Sequence, residues 1–411
     1  MRNMKRNLLW LMMLLVFPSA VYAGGYRVSL QGVRQAALGA QGAVLSHDAS
    51  VAFFNPAALA FVDSKVSIAV GGFGVGLTSK YQNPNTLEQH ESDNPLGTPI
   101  YGAVSYKPSD NLALGVSFTT PFGSTIEWGN EWSGKYVIDR IELKSYFFQP
   151  TIAYKFNEWF GIGVGYIVAK GSVNIQRDVA VGNTDANLEI DSKDGKGTGY
   201  NVGVYIKPDP KVTIGIAYRS KVKMEVEDGD VSWNNVPTLV QSTLPFAANS
   251  FNAELPLPYE AIFGLSYQVT PKLLVLGEIG SVGWEEYKTL DIEFENENAS
   301  YNSASTQNYD HTFNYSFGAE YAASEMIDVR VGYKYDNSPS PGEHFNPQTP
   351  TVNYHAFTAG LGAHLGGLNL DLMGEYIQGE EKSFSNLESG FSGALNSTGF
   401  VFGLGLSYNI Q

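Results

Sequence analysis

The sequence has 411 residues and a net charge of −15, and 43% of its residues are hydrophobic. So acidic a chain lacks the basic surface that a phosphate backbone needs, which argues against nucleic acid as a partner. The chain has no cysteine, which excludes disulfides and thiolate metal sites.

Residues 1–23 have the pattern of a secretory signal peptide. Three cations precede an apolar run at residues 8–17, and Val21-Tyr22-Ala23 places small residues at the cleavage positions. The run is too short for a spanning helix, and no other segment reaches the roughly 20 continuous apolar residues that such a helix needs. Export without a helical span predicts the periplasm, the exterior or the outer membrane.

Residues 24–63 lack the alternation of a strand. They are rich in alanine and glycine, and Asn55-Pro56-Ala57 interrupts any strand because proline has no ladder donor. The low charge of the segment and its apolar side chains, such as Phe53 and Phe54, argue against a disordered tail. We therefore predict a compact hatch, or plug, in the lumen of a barrel built from residues 64–411.

From residue 64 onward, apolar residues repeatedly occupy every second position. The last such stretch carries on one face Phe400, Phe402, Leu404, Leu406, Tyr408 and Ile410. In the stretch at residues 327–336 the alternate positions hold charges such as Asp328, Arg330 and Lys334. Strand side chains alternate faces, so these stretches suit a wall with lipid outside and a wet lumen inside. A half-buried soluble sheet explains one such strand, but the repetition favours a transmembrane barrel.

Polar breaks between these stretches give the number of strands. Short breaks lie at 107–111, 157–158, 207–211, 270–272, 323–325 and 366–367. Longer stretches rich in Asn, Asp, Ser, Pro and Gly lie near 82–98, 122–142, 177–196, 228–257, 294–311, 337–353 and 379–398. Short turns on the periplasmic side and long loops outside are typical of outer-membrane barrels. The sequence thus predicts an all-β fold, an antiparallel transmembrane β-barrel of about 14 strands with an N-terminal hatch.

Short motifs follow one another through the chain in a characteristic order. They include Gly25-Tyr26-Arg27-Val28, Asn55-Pro56-Ala57-Ala58, Thr120-Pro121-Phe122-Gly123, Ala217-Tyr218-Arg219-Ser220 and Gly283-Trp284. Their order resembles that of the FadL family of outer-membrane long-chain fatty-acid and hydrocarbon transporters. The resemblance implies uptake of hydrophobic small molecules, long-chain fatty acids before others, with exit sideways through a gap in the wall. It also implies that Tyr26 lies in the ligand pocket and that the mature N-terminus acts as a switch.

Pro121, Phe122 and Gly123 fall where the third strand crosses the upper wall. Proline and glycine both weaken ladder pairing, so we predict a lateral gate there, with a plain strand terminus as the alternative.

Alternation after Lys211 predicts that Arg219, Lys221 and Lys223 share the inward face. One of them would pair with a substrate carboxylate. The alternative is pairing within the lumen, with Asp328, Asp371 or Glu375.

The sequence gives little support for catalysis. Its six histidines are scattered, and neither an H-E-x-x-H nor a G-x-S-x-G motif occurs. We predict no enzyme, no metal site and no cofactor, while a dispersed Ser-His pair of an outer-membrane lipase stays open.

Three other functions stay open on the same barrel, namely an aromatic-hydrocarbon transporter, a surface receptor for haem and a general porin. The predicted location is the outer membrane of a Gram-negative bacterium, and the expected partners are the hydrophobic cargo, outer-membrane lipid and lipopolysaccharide, and the barrel-assembly machinery.

Overall fold

The computed structural model describes residues 24–243, 245–294 and 303–411, and the predicted signal peptide at residues 1–23 lies outside them. The first strands are β1 (Val66–Gln82), β2 (Gln89–Glu91), β3 (Ile100–Tyr106), β4 (Leu112–Thr119), β5 (Gly123–Glu127), β6 (Arg140–Asn157), β7 (Phe160–Val181), β8 (Thr184–Asp209), β9 (Val212–Arg219), β10 (Val222–Asn234) and β11 (Ser250–Leu257). The others are β12 (Glu260–Thr270), β13 (Leu273–Val282), β14 (Thr289–Phe294), β15 (Ser303–Thr306), β16 (Thr312–Ala322), β17 (Ile327–Asp336), β18 (Tyr354–Leu365), β19 (Leu368–Gly379), β20 (Lys382–Ser385) and β21 (Ser392–Ile410).

These strands form one closed antiparallel barrel. Within the described residues, fourteen strands make the wall, and β2, β5, β10, β11, β14, β15 and β20 extend it at the end where the long loops lie. The barrel closes because β1 pairs with β21, from Val66 opposite Ile410 to Gln82 opposite Ala394. Closure pairs the first strand with the last and so removes the two free edges of the sheet, as a membrane wall requires. The prediction of about 14 strands is confirmed.

The two faces of the wall have the chemistry that the alternation predicts. Phe402, at 68% exposure, and the other large residues of that face of β21 point outward, while Val401 and Ser407 are buried. In β17, Asp328 and Arg330 are buried whereas Val329 and Val331 are exposed. Lipid therefore meets an apolar outer face, and the charges lie in the lumen.

The six predicted turns are confirmed, each within two residues of a strand end. The outer loop predicted at 177–196 is a regular hairpin, because β7 and β8 continue through it with a turn at residues 182–183. Its buried face carries Ile175, Leu188 and Ile190, which pack against the neighbouring loops. The hairpin is polar in sequence because its other face meets water above the membrane.

The N-terminal segment, residues 24–63, lies inside the barrel. Its helices are short, namely α1 (Val33–Ala37), α2 (Val51–Phe54) and a 3-10 helix (Pro56–Phe61). Side chains of four wall strands bind its backbone: Gln149 donates to the Ala52 carbonyl at 2.9 Å, Asn201 to Phe53 at 2.8 Å and Thr358 to Ala37 at 2.8 Å, and Glu278 accepts from the Ala43 amide at 2.7 Å. These partners come from β6, β8, β18 and β13, so the wall surrounds the segment. In the described part of the chain no helix has the length and apolar content to cross a membrane.

The outer loops share an apolar core of their own. The rings of Trp128 and Trp132 are stacked with centroids 4.6 Å apart, and Tyr81 and Phe391 are stacked at 5.1 Å. Phe345 and Phe384 from later loops join the same cluster. Burial of these rings holds loops that are distant in sequence together above the lumen.

Asp139 lies beneath this core and makes its stability depend on pH. The side chain is 6% exposed, and neither carboxylate oxygen has a hydrogen-bond partner among the described residues. Burial, reinforced by Asp178, raises the pKa of Asp139 from 3.8 to about 7. The folded loops therefore bind this proton more tightly than the unfolded chain does, and their stability falls as pH rises from about 4 to about 7.

We expect Asp139→Asn to make the outer loops more resistant to protease at pH 8, because no carboxylate then has to ionise in a buried place. At pH 4 the variant and the parent protein should be cut at the same rate. Limited proteolysis at the two pH values measures the difference. Equal rates at pH 8 would show that Asp139 ionises without cost.

Candidate functional site

Asn55 fixes the lower part of the N-terminal segment to the wall. Its side chain donates to the Ala43 carbonyl at 2.9 Å and to the Val204 carbonyl at 3.0 Å, and it accepts from the Ala57 amide at 3.1 Å. Pro56 begins the 3-10 helix, where its missing N–H costs nothing. Gly203 of the wall has no side chain that would clash with Asn55, whereas a Cβ at this position would lie 2.0 Å from the Asn55 side-chain oxygen.

Tyr26 anchors the upper part of the segment in an aromatic cluster. Its ring packs edge-on against Trp284 at 4.8 Å and Tyr287 at 6.0 Å, and Phe122 lies at 6.2 Å. Its hydroxyl donates to the Pro256 carbonyl at 3.1 Å. Gly25 has a φ of +73°, and a Cβ there would lie 2.2 Å from the Trp284 ring, so only glycine fits before Tyr26. Backbone shape and aromatic contacts therefore both determine where the Tyr26 ring lies.

Arg27 points the other way, into a buried network of charges. Its guanidinium binds the carboxylates of Glu260 and of Asp336, the latter at 2.5 Å. Asp336 also accepts from Lys334 at 2.9 Å, and Lys334 donates to Ser29 at 2.7 Å. The network joins the N-terminal segment to β12 and β17 through charge-assisted bonds.

The backbone of residues 26–28 runs antiparallel to residues 121–123, which lie at a break in the wall. The strand stops at Thr119 and resumes at Gly123. The Val28 amide donates to the Pro121 carbonyl at 2.8 Å, and the Gly123 amide donates to the Tyr26 carbonyl at 2.9 Å. The N-terminal segment thus binds backbone groups that an uninterrupted wall would use for a neighbouring strand.

This break is one side of a lateral opening, which we define by its two rims, residues 95–100 and residues 120–126. Below it, the Thr120 hydroxyl bonds both the amide and the carbonyl of Ile100 at 3.2 Å. Above it, the Glu127 amide donates to the Asn94 side chain at 2.8 Å. Between these connections the described residues form no backbone hydrogen bond from rim to rim. Prolines at 95, 99 and 121 remove three of the donors that could form one.

A cavity of about 540 Å³ lies behind the lateral opening. It is lined by residues 24–30, by both rims, and by polar side chains of the far wall that include Lys334, Tyr354 and Thr358. Ile100 and Tyr146, both exposed on the outer face, line it too. The cavity therefore extends from the N-terminal segment to the outer face of the wall.

A second cavity of about 80 Å³ lies on the other side of Tyr26 and is almost wholly apolar. Its lining includes Met224, Leu257 and Ile292, and it shares Tyr26 and Phe122 with the larger cavity. The two aromatic rings therefore stand at the boundary between a small lumen pocket and the lateral opening.

The structure brings some predicted site residues together and separates others. Tyr26 and Phe122 meet at the boundary between the cavities, and Gly123 lines the larger one and bonds to the Tyr26 carbonyl. Asn55, Pro56 and Ala57 lie elsewhere in the segment, against β7 and β8. Arg219 is inward and 6% exposed, but its guanidinium binds Glu260 at 2.9 Å and the Phe53 carbonyl at 2.7 Å and lies over the Phe53 ring. It pairs with Glu260 and not with Asp328, Asp371 or Glu375.

The prediction that Lys221 and Lys223 share the inward face with Arg219 is wrong. Their side chains are 59% and 52% exposed, and they pair with Glu286 and with Glu254. Ser220 and Lys221 stand between β9 and β10 outside the ladder, which shifts the alternation by one residue, so that Val222 and Met224 point inward instead. A carboxylate in the lumen would not meet these lysines.

Sequence reasoning did not find the partners of Arg27. Alternation in β17 placed Asp336 inward, but its contact with Arg27 joins residues 309 positions apart. Among the described residues no group of three or more His, Asp or Glu side chains is arranged to hold a metal ion.

Comparisons with known proteins agree with this architecture. A family model described as "Outer membrane protein transport protein (OMPP1/FadL/TodX)" matches residues 14–410. The long-chain fatty acid transport protein of Escherichia coli O6:H1 is 22% identical over 334 residues, which cover 73% of this chain and 74% of that protein. The structure of a Pseudomonas aeruginosa FadL homologue superposes with a TM-score of 0.78 at 18% identity and covers 96% of this chain and all of that one. The Pseudomonas putida toluene transporter TodX superposes at 0.74 with 14% identity and covers 92% of this chain and 98% of its own.

Proposed function

The chain belongs to the FadL/TodX family of outer-membrane transporters of hydrophobic compounds, and on that premise we propose that it takes up long-chain fatty acids, which leave sideways through the lateral opening. The observation that carries the proposal is the 540 Å³ cavity, which reaches from the N-terminal segment to the outer face of the wall. Lateral exit spares an acyl chain any contact with periplasmic water. At about 0.8 kcal/mol per methylene, an acyl chain gains on the order of 10 kcal/mol on burial before ordering costs. A site that binds so tightly needs a means of release.

Residues 24–63 are the hatch in this proposal, and residues 24–28 are its switch. A ligand that enters the small apolar pocket packs against the Tyr26 ring beside Phe122. Movement of Tyr26 would break the two backbone bonds to residues 121–123 and join the pocket to the larger cavity. The ligand can drive this change only by its preference for the open arrangement.

Two observations support a fatty acid over an aromatic hydrocarbon as the cargo. Cavities of roughly 300–1,000 Å³ suit drug-sized ligands, so a 540 Å³ cavity fits a long chain and would leave most of its space empty around toluene. Relatives named as long-chain fatty acid transport proteins match this chain at 19–22% identity over 61–73% of its length. A general porin fits poorly, because the N-terminal segment occupies the lumen.

We expect Tyr26→Ala to weaken oleate binding by about 1–3 kcal/mol, roughly 5- to 150-fold, because an aromatic wall of the pocket is lost. Titration of purified protein in mild detergent, followed by the fluorescence of Trp284 and the other tryptophans, measures the affinity. Uptake of labelled oleate by cells should fall as well.

Tyr26→Phe is the matched control. It keeps the ring and loses only the hydroxyl bond to Pro256, so its affinity should stay within about tenfold of the parent protein. The heat-modifiable gel shift reports that each barrel is folded. Normal oleate affinity and uptake in Tyr26→Ala would exclude Tyr26 from the ligand site, and stronger binding of toluene than of oleate would replace the proposed cargo.

A further inference from the structure

Three side chains on the outer face of the wall form a hydrogen-bonded relay that transport does not require. The Ser281 hydroxyl lies 2.9 Å from Nε2 of His311. Nδ1 of the same ring lies 3.0 Å from a carboxylate oxygen of Glu285. The other oxygen of Glu285 accepts from the Tyr259 hydroxyl at 2.9 Å. A serine, a histidine and a glutamate thus stand in line, and a tyrosine holds the last of them.

Hydrogen-bond chemistry fixes the protonation of this relay. An ionised carboxylate can only accept, so Nδ1 of His311 must carry the proton that is donated to Glu285. In the neutral ring Nε2 then holds a lone pair, and the Ser281 hydroxyl donates to it. This is the tautomer in which a histidine can remove the proton of a serine, with the carboxylate orienting the ring.

Neighbouring strands place the relay at the upper border of the membrane. Ser281 is two residues beyond the exposed Ile279 and opposite the exposed Phe313, so it lies on the outer face. His311 precedes β16, packs edge-on against Phe313 at 5.1 Å and is 30% exposed at its side chain. The rings of Tyr218 and Tyr259, centroids 5.9 Å apart, continue an aromatic belt of the kind found at membrane interfaces. Ester bonds of membrane lipids lie at this depth.

We propose that Ser281, His311 and Glu285 form a hydrolytic site for acyl esters at the outer face of the barrel. The Ser281 oxygen bonds to the ester carbonyl carbon while Nε2 of His311 takes its proton, and the alcohol leaves with that proton as the C–O bond breaks. Water then attacks the acyl-serine, again giving its proton to His311, which returns it to Ser281 as the carboxylic acid is released. The reaction consumes one water for each ester. This proposal differs from the sequence-based prediction that the protein is not an enzyme. It corresponds to the alternative that the sequence left open, a Ser-His pair whose members are distant in the chain.

A fluorophosphonate probe tests the nucleophile on the full protein in detergent. We expect the probe to label the parent protein and the labelled peptide to contain Ser281. Ser281→Ala should abolish labelling, whereas Ser232→Ala, at an exposed serine of β10, should leave it unchanged. Labelling at a different serine, or none on a barrel with a normal heat-modifiable gel shift, would overturn the proposal.

Hydrolysis of p-nitrophenyl butyrate tests the whole relay. Ser281→Ala and His311→Asn should each lower the rate by about 10²-fold or more, and Glu285→Gln should lower it less. Oleate uptake should be unchanged in Ser281→Ala, which separates this site from transport. Hydrolysis that persists equally in all three variants would assign it to a contaminant and contradict the proposal.

Discussion

A double variant with Pro121→Val and Gly123→Thr should take up labelled oleate at about one tenth of the parent rate or less. Both changes favour a strand, and valine restores a backbone donor where the rim has none. The rim at residues 120–126 can then bond to residues 95–100 and close the lateral opening. Each new hydrogen bond adds only about 1 kcal/mol, but two or three together suffice to suppress opening tenfold or more.

Transport assays in cells that carry equal amounts of barrel measure this effect. A Cβ at Gly123 would lie 3.2 Å from the Leu143 carbonyl, so Pro121→Val alone serves as a second variant in case the double variant inserts poorly. Pro108→Val, in the turn between β3 and β4, is the matched control and should transport normally. Full uptake by a correctly inserted double variant would remove this break from the exit route.

Arg27→Gln should release the upper part of the hatch while the wall stays folded. The change leaves the buried carboxylates of Glu260 and Asp336 with one cation each, Arg219 and Lys334, and the loss of a buried pair costs up to about 3–5 kcal/mol. The wall keeps its hydrogen bonds without Arg27, so the cost falls on the seating of residues 24–30. We expect the Tyr26 ring to leave the pocket, oleate binding to weaken and trypsin to cut after Arg34, whose side chain is 18% exposed and paired with Glu320 in the parent protein.

Two further variants show whether charge is the cause. Glu260→Gln in the Arg27→Gln background removes the carboxylate that is left with Arg219 as its one cation and should restore part of the resistance to trypsin. Arg140→Gln breaks half-exposed pairs with Glu127 and Glu142, which are worth about 0–1 kcal/mol, and should leave the hatch seated. A trypsin pattern in Arg27→Gln that matches the parent protein would show that aromatic contacts alone hold the segment.

The wall was predictable because one rule, the alternation of apolar and polar residues along a strand, governs it. Side chains of a strand point alternately to its two faces, so Phe402 faces lipid and its neighbour Val401 faces the lumen. The rule failed at Lys221, because Ser220 and Lys221 lie outside the ladder and the strand after them continues on the opposite face. The rule also failed at residues 177–196. These residues form a hairpin above the membrane, where both strands are rich in polar residues, and such a composition predicts a loop.

The candidate site depended on contacts that no local pattern records. Pro121 and Gly123 indicate a weak place in the wall by their own chemistry, and the break is there. The partners of Arg27 lie 233 and 309 residues away, so only the closed barrel brings them together. The relay at Ser281 has the same character, because its members come from the end of β13, from the 3-10 turn Trp284–Glu286 and from the residue before β16.

The lateral opening is joined at both ends, by Thr120 below and by Asn94 above. An opening of that kind has a fixed length along the strand direction and can change only in width. Its two rims must move apart for a molecule to pass. The free-energy cost of this movement therefore increases with the thickness of the cargo and hardly with its length. On the proposed exit route, cross-section therefore limits which cargo passes: an unbranched chain passes end-on at the same width whatever its carbon number, while a fused-ring compound of equal mass must force the rims further apart.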